Sequence, residues 1–142
     1  DELLKFVGTV TGRVVDEVFT ILFNDRLFLL KFNLIISDVI KEMKKQDYPD
    51  ILDNDGQLKR CPNIPSWLQK AIIYRDKGKC QLCGIDISGV WSPEEEKQFD
   101  HVVPLKLSGC NDPTNFQLLC KPCNSRKSGT KIETSERYLT FW

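Results

Sequence analysis

The sequence predicts an α+β protein: a mainly helical N-terminal part, then a small strand–loop–strand–helix unit stapled at its base by four cysteines. Three patterns carry this expectation. Apolar residues recur at helical spacing between Thr11 and Gln46, two Cys-x-x-Cys pairs stand 36 residues apart, and the segment they enclose alternates as a strand does. A chain of 142 residues accommodates one domain, or a small domain with a helical extension. With 28% charged and 41% hydrophobic residues, wholesale disorder is excluded. The formal net charge is zero, yet residues 1–58 sum to −4 and residues 59–142 to +4. That asymmetry points to a polyanion-facing C-terminal part on a more acidic support.

In the N-terminal part, Val14, Val15, Val18, Phe19, Leu22 and Phe23 mark a first helix, and "FNDR" interrupts it. A second helix is expected over Leu27 to Met43, apolar on most of its circumference around Leu29–Ile36. Such a helix needs cover on more than one side, from the rest of the domain, a second copy or a larger protein. The stretch "KKQDYPDILDNDGQLKRCPN" reads as a linker. Its "DNDG" is not a calcium loop, because Ile51 and Pro62 would fall at the first and twelfth ligand positions. A third helix begins with Pro65 in its first turn and stops at Gly78, with Trp67, Leu68, Ala71 and Ile72 as its core stripe. The expected division is a helical extension and linker over 1–58 and a second domain over 59–142.

Cys80-x-x-Cys83 and Cys120-x-x-Cys123 have the spacing of a tetrahedral four-cysteine zinc site. Cys61 and Cys110 are left over and are expected to be plain thiols. Between the pairs, "QFDHVVPL" alternates as a strand, "GCNDPTN" is turn-forming, "FQLLC" is a second strand, and "CKPCNSRKSG" is a short helix ending at Gly129. "SPEEEK" (Ser92–Lys97) reads as a solvated helix start rather than a second metal site.

These residues resemble the HNH endonucleases, whose core is the ββα-metal finger. The resemblance runs from "RDKGKCQLCG" and Cys80 to about Gly129: Asp100-His101 on the first strand, Asn115 in the loop, and Asn124 directly after Cys123. Asn115 and Asn124 follow His101, the only histidine, by 14 and 23 residues, and "CNSRK" fits the family's Cys-Asn-x-x-Lys ending. The resemblance implies a zinc-stapled ββα-metal (HNH) nuclease domain that hydrolyses DNA. His101 would be the general base, since imidazole is the side chain best matched to taking a proton from water near neutrality. Asp100 and the Asn124 carbonyl would hold Mg²⁺ or Mn²⁺, hard ions that prefer oxygen. Adjacent strand residues point to opposite faces, so Asp100 and His101 cannot both aim inward on a regular strand; the resemblance implies that the base and the metal ion lie on either side of the scissile phosphate.

Asn115 would steady the hairpin and help orient the base, or serve only the turn; Asn124 would otherwise be a helix cap. Arg126 and Lys127, one turn beyond Asn124, would hold a phosphate. Lys77 and Lys79, with Lys59, Arg60, Lys70 and Arg75, would form a backbone-binding strip. The family includes restriction, antiviral defence, CRISPR-associated, homing and toxin nucleases. The sequence lacks a starting methionine and carries apolar N-terminal helices, which suits a homodimer or a component of a larger defence or mobile-element assembly. Without a signal-like N-terminus, cytoplasmic placement is expected. The alternatives are a non-catalytic zinc module binding nucleic acid or protein, and a nuclease acting on RNA.

Overall fold

The computed structural model describes residues 1–90 and 96–136. Most of the "SPEEEK" stretch lies outside them. Helix α1 spans Glu2–Asn24 and helix α2 Arg26–Lys41, so the break expected at "FNDR" is the single residue Asp25. Its extended backbone ends α1, and its carboxylate caps α2 by accepting from Phe28 N–H at 2.9 Å. Residues 2–21 of α1 are exposed, including Leu3, Val7, Val10, Val14 and Val18. Only its last turn packs: Phe19 stacks on Phe23, and the Arg75 guanidinium lies over the Phe23 ring at 4.8 Å.

Helix α2 buries Arg26, Leu29, Asn33, Ser37 and Ile40, a stripe at helical spacing that is largely polar. Each polar member finds a partner. Asn33 accepts from the Cys110 thiol and donates to Leu29 O and Thr114 Oγ1, and Ser37 Oγ donates to Leu107 O at 2.9 Å. The apolar side chains expected to need cover, Phe32, Leu34, Ile35 and Val39 among them, face outward. Hydrophobicity alone therefore misidentifies the packed face of this helix.

The segment expected to be a linker contains a hairpin. Strand β1 (Leu52–Asn54) pairs with β2 (Gln57–Leu58), Asp55-Gly56 of "DNDG" forms the turn, and Gly56 N–H donates to Met43 O at 2.9 Å. Helix α3 (Ser66–Arg75) has Pro65 as its N-cap, one position earlier than expected. It buries Leu68, Ile72 and Arg75, an i, i+4, i+7 face, whereas Trp67 is 62% exposed and is not a core position. Gly78 ends the turn at φ +61°, where a Cβ would stand 2.6 Å from that of Ser88.

Strand β3 (Lys97–His101) pairs antiparallel with β4 (Phe116–Cys120), and α4 (Lys121–Lys127) follows at once. The core between α3, the cysteine pairs and β4 is built on Leu68, Ile72, Ile87, Phe116, Leu118 and Leu119. A charged knot clamps it. Fully buried Asp76 pairs with Arg26 of α2 and with Arg75 Nε (2.8 Å), and accepts from Leu118 N–H of β4 (2.7 Å). Burial pulls the Arg26 guanidinium down to about 10, against the opposing pull of Asp76, so it remains charged at neutrality. Asp76→Asn leaves two buried guanidinium groups without their counter-charge and is expected to cost about 3–5 kcal/mol in urea unfolding. The exposed Lys41–Asp38 pair is a control: Asp38→Asn should cost less than about 1 kcal/mol.

No helix among the described residues is long and apolar enough to cross a membrane.

Candidate active site

The register of β3 on β4 sorts the site residues onto two faces. Phe99 and His101 stand opposite Leu118 and Phe116, while Gln98 and Asp100 stand opposite Leu119 and Gln117. Helix α4 lies against the second face, because Asn124 and Lys127, one turn apart, reach Gln98 and Asp100.

His101 is buried and packs on Phe116, with ring centroids 4.3 Å apart. Its Nε2 is 3.1 Å from Asn111 Oδ1, and Asn111 Nδ2 donates to Lys59 O at 2.8 Å. The second bond fixes which way the Asn111 amide points, so its oxygen meets the imidazole. Nε2 then carries the proton, and in the neutral ring Nδ1 keeps the basic lone pair. Burial pushes the His101 pKa below the ordinary imidazole value; the Asn111 bond opposes this and the charge of Arg60 adds to it. The ring is therefore neutral at physiological pH.

Asp100 accepts at Oδ2 from Lys127 Nζ and from Gln117 Nε2, both at 2.9 Å. Lys127, expected to hold a phosphate, is fully buried, and its ammonium also donates to His101 O at 2.6 Å. One cation thus ties the Asp100 carboxylate to the backbone of the next residue. Gln117 is equally buried and also donates to Glu133 O. Asn124 Nδ2 is 3.4 Å from Gln98 Oε1.

Among the described residues, the Asn115 side chain bonds to backbone groups and not to the imidazole. Its Nδ2 donates to Val103 O and Cys110 O, its Oδ1 accepts from Val103 N–H, and its backbone oxygen accepts from Val102 N–H. It closes the loop that follows His101. Gly109 completes that closure, since a Cβ there would fall 1.8 Å from Val103 O.

Asp100, His101, Gln98 and Asn124 share one open groove of about 530 Å³. Asp100 and His101, on alternate faces of the hairpin, both contribute to its lining. Arg126, Lys77 and Lys79 are outside its lining. Arg126 is exposed near Glu133, Lys79 is exposed, and Lys77 is half-buried. Arg75, expected in a basic strip, is in the charged knot instead.

At the base, the sulfurs of Cys80, Cys83, Cys120 and Cys123 all lie within 4.8 Å of one another, with Cys83 and Cys120 at 3.7 Å. Zn–S bonds of ~2.3 Å in a tetrahedron put sulfurs roughly 3.8 Å apart, so the set fits zinc. Burial acts to raise the Cys80 thiol, but backbone N–H groups of Cys83, Cys120 and Leu82 outweigh it and hold it at about 7. Burial prevails at Cys120 and Cys123, where it and the neighbouring thiols push upward. Four sulfurs this close are thiolates together only around a cation, and they could hold a zinc ion. This is the only cluster of three or more His, Cys, Asp or Glu found among the described residues. Cys110 bonds to Asn33 and Cys61 to Asn63 O, both away from the cluster.

A hairpin and helix closed on four thiols, with a buried imidazole and a carboxylate on one polar groove, is a ββα-metal unit. Residues 80–130 match the family model described as HNH endonuclease, the family that the sequence resembles. No curated protein and no solved structure matches the chain.

Two site residues escape a reading of the sequence. Asn111 looks like one more turn residue in "GCNDPTN", and Gln117 like a filler in an apolar strand. Only the β3–β4 register, which sets Gln117 opposite Asp100, could have flagged the second.

Proposed function

We propose that the protein is a metal-dependent endonuclease that hydrolyses DNA phosphodiester bonds. The observation that carries this reading is the groove itself, where a buried, amide-anchored imidazole and an ion-paired carboxylate from adjacent residues meet Asn124. His101 Nδ1 takes the proton of the attacking water, while Asn111 keeps the ring in the right tautomer. Asp100 Oδ1, to which no hydrogen bond is made among the described residues, and the Asn124 carbonyl are the oxygen donors for Mg²⁺ or Mn²⁺. Such an ion, when bound, offsets charge gathering on the phosphate and on the departing oxygen. Lys127 and Gln117 position Asp100, and Asn115 sets the loop. The four cysteines hold structural zinc, and exposed Arg126 and Lys79, with Lys77, contact flanking backbone.

The apolar face of α1 and its groove against α2, about 520 Å³ and lined by Val14, Val18, Phe19, Leu22 and Phe32, support assembly as a homodimer or on a larger restriction, defence or mobile-element protein. Light scattering reads that directly. Four cysteines gathered for a metal and two left as plain thiols suit the cytoplasm.

Incubating the protein with supercoiled plasmid, single-stranded DNA and RNA in Mg²⁺ or Mn²⁺ tests the substrate class. Cleavage of DNA is expected; cleavage of RNA alone, or of nothing, overturns the reading. Asn111→Ala is expected to lower the rate about 10–100-fold, the usual cost of losing a residue that orients a working imidazole, without changing the melting temperature by more than a few degrees. An unchanged rate would remove Asn111 from the site.

A further inference from the structure

One wall of the active groove comes from outside the HNH segment. Asp53, Gln57, Leu58 and Arg60 of the β1–β2 hairpin and its exit line the same groove as His101 and Asn124. The attachment is specific. Lys59 N–H donates to Ile51 O at 2.9 Å, and Lys59 O accepts from Asn111, the residue that also holds the imidazole. Arg60 therefore leaves a backbone fixed one residue away, through a single amide, to the candidate base.

Arg60 is exposed, makes no hydrogen bond or ion pair among the described residues, and lines the same groove as His101. Lys106, exposed on the loop after β3, lines the same groove. A planar cation with five donors, unsatisfied within the protein and held beside a hydrolytic base, matches a phosphodiester oxygen pair.

Building on the nuclease reading above, we propose that Arg60 binds a backbone phosphate of DNA next to the scissile one, with Lys106 on the same path. The hairpin is then the substrate-binding wall of the active groove, and Arg60 a substrate-positioning residue.

Binding is measured in the His101→Ala background, so that no cleavage intervenes. Fluorescence anisotropy of a labelled duplex over a salt series gives the slope of log K against log salt. Arg60→Gln is expected to reduce that slope by about one and to weaken binding about tenfold, at unchanged melting temperature. Lys31→Gln, exposed on α2 and outside the groove lining, is expected to leave both unchanged. In the active protein, Arg60→Gln should raise KM with Arg60→Lys recovering part of the loss. An Arg60→Gln slope equal to that of its parent overturns the proposal. The two readings fail separately: a wild-type protein that cuts nothing but shows the slope change loses the nuclease reading and keeps the phosphate site.

Discussion

Cys83→Ser is expected to release the metal and unfold the 80–130 segment, not merely to slow a reaction. A structural zinc site contributes on the order of 10 kcal/mol, comparable to the whole stability of a small domain. The energy matters here because of what the cluster joins. Cys80 and Cys83 belong to the turn after α3, while Cys120 ends β4 and Cys123 lies in α4. Losing the cluster frees α4, and with α4 go Asn124 and the Lys127 ammonium that fixes Asp100 and the His101 carbonyl. Stability, metal content and activity should therefore fall together. Cys61→Ser, an exposed thiol bonded only to Asn63 O, should change none of them. Elemental analysis with thermal melts decides: a Cys83→Ser protein with wild-type zinc content and melting temperature would contradict the assignment.

The second large effect is catalytic. His101→Ala should lower cleavage by ~10²–10⁴-fold, the range associated with loss of a positioned general base. The backbone bond from Lys127 to residue 101 survives the substitution, as does the Asn115 loop, so the fold and the zinc site should persist. The vacated space beside Phe116 and Asn111 has the shape of an imidazole. Added imidazole is accordingly expected to restore part of the rate, a response that a purely structural role would not give. A variant within threefold of the wild-type rate would exclude His101 as base.

Much of this was legible in the sequence because it rests on local rules. Cysteine spacing marks the four-thiol cluster and alternation marks the strands, while the Asp100-His101 dipeptide and the polar positions at 115 and 124 carry the resemblance to the HNH family. What stayed hidden depends on contacts between distant residues. Arg26 and Arg75 look like solvated charges on apolar helices, and only the fold shows that Asp76 gathers both. Lys127 looks like a helix-end cation, and only the packing of α4 on β3 turns it inward. Asn111 and Asn115 are alike on paper; loop closure spends the second on backbone groups and gives the first to the imidazole. The β1–β2 hairpin has linker composition, and long-range bonds, Gly56 N–H to Met43 O and Asn111 to Lys59 O, hold it in place as a groove wall.

The central claim is that the groove around His101 and Asp100 hydrolyses DNA with a divalent ion. Single-turnover cleavage of supercoiled plasmid measures it most directly, using zinc-loaded wild type and His101→Ala side by side, each with and without added Mg²⁺. Cleavage by the wild type only when Mg²⁺ is present, with the alanine variant nearly silent at equal zinc content, is the expected result. Equal cleavage by both proteins, or cleavage indifferent to the added ion, would contradict it.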